Sequence, residues 1–172
     1  VFPFYSPDEN AKVEFYQSRA LYKKDEEIAK YLSKTNSDKG IFNIDKVTPD
    51  IEYIFLQEGP IDAMFLRNSV ALAGIKPTED QIDRINKLFP MHTQVYVLDN
   101  QWVDETSYEV TKDLLDKGHS VFLWPNGLQK FKDLNDLCIH IKQDEIKWEF
   151  IIKHTFKGVK GLLQYSQIKN AN

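Results

Sequence analysis

From Tyr53 onward the chain alternates short apolar runs with segments of helical spacing. Residues 53–57 (YIFLQ) are strand-like and pass straight into Glu58-Gly59. PIDAMFLRN (60–68) is helix-like, and SVALAG (69–74) returns to a short strand. In TEDQIDRINKLF (78–89), Ile82, Ile85 and Phe89 recur at helical spacing behind Thr78, a natural N-cap. Residues 95–98 (VYVL) form a near-continuous apolar run that ends at Asp99, as expected of a central parallel strand buried on both faces. A helix over 104–117 stops at Gly118, and 120–124 is the next strand, closed by Pro125-Asn126-Gly127. Residues 133–142 and 144–156 read as helices, and the tail to Asn172 as a further helical stretch. Strand and helix taking turns in this way predict βαβ units and a parallel sheet.

The first fifty residues follow a different pattern. VFPFY (1–5) and residues 12–17 are strand-like on either side of the turn-forming SPDEN, which predicts a hairpin. A charged patch (Lys23, Lys24, Asp25, Glu26, Glu27), the segment IAKYLSK and the loop TNSDKG follow. The abrupt apolar start without an initiator Met reads as the interior of a larger protein. The organisation expected is an N-terminal α+β subdomain (1–50), a central α/β domain (51–140) and a C-terminal helical segment (141–172).

A chain of 172 residues can bury a sizeable core without staples. The single Cys138 excludes an internal disulfide framework and a multi-cysteine zinc ribbon, and suits a reducing, cytoplasmic setting. No run approaches the roughly 18 apolar residues of a membrane span. The formal net charge of −4 argues against a generically basic DNA coat, but it is unevenly spread. Lys+Arg against Asp+Glu stands at 8 to 9 in residues 1–50, 8 to 14 in 51–140 and 6 to 3 in 141–172. Solvated helix faces account for most of the acids in the middle; a metal-holding site would add to them.

The candidate chemistry sits where the strands stop. The first strand of the central domain leads to Glu58 and, four residues on, Asp62. The second leads to Asp99-Asn100-Gln101, and the third through Asn126-Gly127 to Lys132-Asp133-Leu134-Asn135-Asp136. In a parallel sheet such loops emerge on one edge, so these residues converge there. Gly59 would let the backbone turn sharply after Glu58. Hard oxygen ligands without a histidine cluster favour Mg²⁺ or Mn²⁺ over zinc, and the matching reactions are phosphoryl or nucleotidyl transfer and phosphodiester hydrolysis.

The segments EGPIDAMFL, VYVLDN and KDLND resemble the Toprim domain shared by bacterial-type (DnaG-like) primases, type IA and type II topoisomerases and several nucleases. The resemblance implies a Toprim-type open, mainly parallel sheet flanked by helices. It implies that Glu58 and Asp99 are catalytic and metal-binding, with Asp133 as a further metal ligand; Asp62, by its spacing after Glu58, joins them as a candidate ligand in the same crevice. Gln101 stands where a second acid of the Asp-x-Asp pair is expected, a weaker ligand in a metal position. FYQSRAL (15–21) is similar to a segment that precedes the primase Toprim domain, and AKYLSK (29–34) to the next. These imply that Arg19 and Lys30 contact template or nucleotide phosphates. SVALAG, closing at Gly74, and WPNGLQKFKDLND resemble two later primase elements, with Asp133 and Asn135 on the acidic positions of the second. Gly59 and Gly74 then belong to the nucleotide-binding surface.

The expectation is a DNA primase core of bacteriophage type. It would make RNA primers on a single-stranded DNA template from ribonucleoside triphosphates, using Mg²⁺ or Mn²⁺, beside a replicative helicase. A Toprim nuclease, and a Toprim module that binds nucleic acid or a partner without catalysis, stay open beside it. The Arg19 and Lys30 segments speak against the first, and Gln101 and Asn135 speak for the second.

Overall fold

The computed structural model describes residues 1–8, 12–20, 31–35 and 37–169. Lys23, Lys24 and Lys30 lie outside the described residues. The expected hairpin is present as β1 (Phe2–Tyr5) and β2 (Val13–Arg19), with a third antiparallel strand, β3 (Tyr31–Ser33), in the order β1-β2-β3. Register places Phe4 opposite Phe15, and their rings lie 5.0 Å apart, with Phe42 5.4 Å from Phe4. All three are buried and pack with Ala63 and Ala71, so this small sheet is fastened to the rest by an aromatic cluster.

The central sheet is mixed α/β and mostly parallel. Its strands are β4 (Tyr53–Gln57), β5 (Ser69–Ala71), β6 (Thr93–Tyr96), β7 (Ser120–Phe122) and β8 (Thr155–Phe156), in the order β5-β4-β6-β7-β8. The first four are parallel, and β8 joins antiparallel to β7. Alternation of side chains across the pleat explains the unbroken apolar runs. Ile54, Leu56, Tyr96, Leu98, Val121 and Leu123 enter one core. Phe55, Val95, Val97, Phe122 and Trp124 enter the other.

Helices cover both faces. On the first lie α2 (Glu79–Leu88), α3 (Glu105–Asp116) and α6 (Gly158–Lys169), contributing Ile85, Val110, Leu114, Leu115, Tyr165 and Ile168. On the second lie α4 (Leu134–Ile141) and α5 (Trp148–Lys153), contributing Leu134, Leu137, Cys138 and Ile151. Thr78 caps α2 in a reciprocal box with Gln81, and Gly118 takes φ +79° after α3, as their residue types predict. Cys138 is core, and burial pushes its thiol up to about 11. No helix among the described residues is long and apolar enough to cross a membrane.

Three local readings differ. The helix expected over 60–68 is one turn, α1 (Pro60–Ala63), after which the chain reaches positive φ at Asn68. The Asn68 amide donates to the carbonyls of Thr48 and Ile51 and holds that turn in place. Residues 144–156, expected as one helix, divide into α5 and β8, so part of the C-terminal segment completes the sheet. Gly59 has extended backbone (φ −118°, ψ 149°), so the turn after Glu58 does not need a glycine's left-handed freedom.

The order of strands creates the crevice. The chain leaves β4 for β5 on one side, then crosses to β6 on the other, so the gap between the carboxyl ends of β4 and β6 is a topological switch point. Glu58 follows β4 and Asp99 lies just beyond β6.

Gly40 comes close to the small sheet: a Cβ there would stand 2.7 Å from Cβ of Phe15. Glycine-to-alanine changes at unconstrained sites usually stabilise by about 0.4–1 kcal/mol. Gly40→Ala is expected to do the opposite and cost about 1–3 kcal/mol, the scale of overpacking a filled core. Urea denaturation of the variant beside wild type reads the sign directly.

Candidate metal centre

Five acidic side chains line the crevice, each delivered by a different element, Asp104 among them as the N-cap of α3. Glu58 is exposed at the end of β4, and Asp62 is half-buried in the single turn α1. Asp99 follows the β6 run, and Asp133 is the N-cap of α4, its Oδ1 accepting the Asp136 N–H at 2.8 Å. Asp62 reaches the same loop by accepting the Asn135 N–H at 3.2 Å. Together with Gly59, Arg19, Tyr31 and Lys132 they line a cleft of about 260 Å³. Asp62, Asp99 and Asp133 each present one carboxylate oxygen, and these three atoms lie within 4.8 Å of one another.

The electrostatics match that crowding. Burial, then the charge of Asp133, pushes Asp62 up to about 6. Burial, then Asp62 and Asp133, pushes Asp99 up to about 7. Lys132 Nζ stands 3.7 Å from Asp99 and offsets this only in part, being itself half-exposed. Hard oxygen donors that repel one another are a fitting donor set for a divalent cation of the Mg²⁺ or Mn²⁺ type.

Arg19 lies at the end of β2, its Nη1 donating to the Tyr31 hydroxyl at 3.1 Å and its guanidinium carbon 5.4 Å from that ring's centre. Burial raises the Tyr31 hydroxyl, Arg19 opposes the rise, and Asp62 and Glu58 add to it. The small N-terminal sheet thus supplies one wall of the cleft. Gly59 faces Tyr31 across ordinary contact distance, and Gly74 donates its N–H to the Glu58 carbonyl at 3.3 Å. Lys39 Nζ lies against Gly74.

Gln101 is a correction. It does not face the cleft: it is 3% exposed and turned into the protein. Its amide donates to Thr111 Oγ1 at 3.2 Å and the Phe122 carbonyl at 3.0 Å, and its carbonyl accepts the Trp124 N–H at 3.2 Å. With donor and acceptor both committed, it ties α3 to the end of β7 and faces away from the three carboxylate oxygens. The third carboxylate of the cluster is Asp62.

Asn100, named in the sequence only as part of the loop after the 95–98 run, proves to organise the site. It is fully buried, and its Nδ2 donates to the Leu128 and Phe131 carbonyls at 3.0 and 2.7 Å. Its Oδ1 accepts the Trp102 N–H, and its own N–H donates to the Lys132 carbonyl at 2.8 Å. One residue therefore locks the loop that begins at Asp99 to the loop that ends at Asp133. An Asp-Asn pair after an apolar run carries a turn signal, and nothing local announces that the amide will point inward. Tyr31 and Lys132 lie in segments the sequence singled out but received no role there, because their place in the cleft depends on how β3 and the α4 loop dock.

No family model matches the chain. The DNA primase of Enterobacteria phage T4 is 32% identical over 140 residues, which cover 80% of this chain and 37% of that primase. The chain thus spans little more than a third of that relative's length. Among solved structures, the RNA polymerase domain of Mycobacterium tuberculosis primase DnaG is similar with a TM-score of 0.63 at 21% identity, over 80% of this chain and 49% of that one. The same domain in complex with a double-stranded DNA oligomer carrying a 6-nucleotide overhang gives 0.67 at 18% identity, over 90% and 52%. The structural likeness establishes the shared fold. The chain is thus similar in sequence to a DNA primase and in fold to the DnaG polymerase domain.

Because Asp62 and Asp99 hold protons more tightly than in the unfolded chain, whose carboxyls titrate near 3.8, the folded state binds more protons from about pH 4 to pH 7. Their contribution to stability falls as pH rises through that window and levels off above it. Thermal melts should therefore show a wild-type decline from pH 5 to 7.5 that Asp62→Asn reduces. Mn²⁺ should raise the wild-type Tm more at pH 7.5 than at pH 5.5, since protons compete for the same oxygens. A second outcome concerns Gln101→Asp. Placing a carboxylate against the Phe122 carbonyl should cost more than about 2 kcal/mol in urea denaturation and add no metal in titration calorimetry.

Proposed function

We propose that this chain is the catalytic core of a DNA primase, making short RNA primers on single-stranded DNA from ribonucleoside triphosphates. The observation that carries the reading is the meeting of Asp62, Asp99 and Asp133 oxygens within 4.8 Å, at the switch point of a fold shared with a primase polymerase domain. In this reading Glu58 and Asp99 are the catalytic acids of a Toprim centre, and Asp62, Asp99 and Asp133 hold Mg²⁺ or Mn²⁺.

A cation bound there supplies charge neutralisation to the triphosphate. The protein's part is positional. Asp133 is fixed by its cap, Asp62 by the Asn135 N–H and Asp99 by its neighbour Asn100, so the oxygens are arranged before a ligand arrives. Glu58, exposed at the mouth, is the group suited to take the proton of the attacking hydroxyl. Arg19, anchored by Tyr31, faces the cleft with a charge matched to a phosphate. Gly59, which lines the cleft, and Gly74, which donates to the Glu58 carbonyl, would lie beside the nucleotide. A replicative helicase is the expected partner of such a core.

The test is primer synthesis on a single-stranded template with triphosphates and Mg²⁺ or Mn²⁺. Primers should form with wild type and fall by more than roughly 100-fold in Glu58→Gln and in Asp99→Asn, the scale of losing a group that stabilises developing charge. Metal-dependent shortening of the template would instead mark a nuclease. Template binding without either product would mark a module without catalysis.

A further inference from the structure

A second hollow opens on the same edge of the sheet, beyond the end of β7. It encloses about 410 Å³, within the roughly 300–1,000 Å³ of small-ligand sites. One wall is Trp102, three residues after Asp99, whose main-chain N–H is held by Asn100 and whose indole N–H donates to the Trp124 carbonyl at 2.8 Å. The same loop that presents Asp99 to the acidic cleft therefore presents an aromatic ring to this one. The other walls include Asn126 after β7, Lys153 and His154 at the end of α5, Phe156 of β8, and Gln164 and Gln167 of α6. No carboxylate lines it.

The charge around it is equally one-sided. Between Phe150 and Lys169 the chain carries four lysines and no acid, although the protein as a whole stands at −4. Lys153, Lys157 and Lys160 are exposed, and Lys160 Nζ lies 5.8 Å from the centre of the Phe156 ring. Cations alone would suit any polyanion. Gln164 donates to Gln167, and Gln129 donates to Asn126 Oδ1. Each of the three lining amides still keeps further hydrogen-bonding capacity beside the partly buried rings of Trp102 and Phe156, which suits a heterocyclic base edge and face.

We propose that this hollow is a binding site for single-stranded nucleic acid, taking a base between Trp102, Phe156 and the α6 amides while Lys153, Lys157 and Lys160 neutralise the flanking phosphates. The assignment rests on the primase reading only for which strand is bound, template or primer; the chemistry of the site is the same for both.

The experiment measures binding of labelled oligothymidylate and oligouridylate by anisotropy at several salt concentrations, without metal or triphosphates. Lys153→Ala/Lys157→Ala/Lys160→Ala should weaken binding about tenfold and reduce the slope of log K against log salt by about 2, three phosphates at roughly 0.7 each. Gln164→Ala/Gln167→Ala should weaken oligothymidylate binding by about threefold to tenfold and leave an abasic strand unaffected, as loss of one or two base hydrogen bonds requires. The tighter of the two strands identifies template or primer. Unchanged affinity and slope in the lysine variant, no binding by wild type, or equal loss with the abasic strand would overturn the site. Polyglutamate binding as tightly as the oligonucleotide would assign the surface to an acidic peptide instead. Asp99→Asn serves as the control for the other reading. If wild type makes no primers yet the lysine variant loses affinity, the catalytic assignment fails and this one stands.

Discussion

The acidic cleft depends on a buried amide. Asn100 has no exposed surface, and an amide placed there without partners would cost several kcal/mol. It avoids that cost by accepting one N–H and donating to two carbonyls of the 128–131 loop. The bonds are directional, so the loops they join keep one relative position. Asp99 on one side and Asp133 on the other inherit it. Asp62 is drawn in from a third element by the Asn135 N–H. Three carboxylates that repel one another are thus held together by neutral hydrogen bonds behind them. This is how a folded chain maintains a charge arrangement that the charges themselves disfavour.

Much of the fold was legible because both faces of the central sheet are buried. Residues 53–57, 95–98 and 120–124 are apolar without alternation for that reason, and the sequence shows it directly. Thr78 with Gln81 and the glycine at 118 were legible because capping is a local matter. The two-residue β8 was not. Thr155 and Phe156 carry no strand pattern of their own, and they become a strand only because β7 offers them an edge. The helix expected over 60–68 ends after one turn because Asn68 is bonded to a segment fifteen to twenty residues upstream, which no local propensity reports.

The candidate site divides in the same way. Glu58, Asp62, Asp99 and Asp133 could be placed on one edge from topology alone, because parallel strands send their following loops to the same side. Gln101 could not be placed. It lies two residues past Asp99, where the chain turns from strand to helix, and whether a side chain there faces the cleft or the core depends on the path of the turn. The structure gives it the core and gives the cleft to Asp62. Arg19 was legible only through resemblance, since its approach to the cleft depends on how β2 and β3 dock through Phe4, Phe15 and Phe42.

The bridge between Phe42 and Ala71 has a bearing on how the molecule meets copies of itself. β5 is the outer strand on its side, and an outer strand with open N–H and carbonyl groups invites pairing with another chain. Phe42 exchanges both of its main-chain bonds with Ala71, at 2.9 and 3.2 Å, and so occupies that side. On the opposite side the outer strand β8 is two residues long, too short to template a ladder. A sheet rich in apolar residues is therefore closed along one margin by its own chain and truncated along the other. Strand-to-strand association finds little to extend along this sheet.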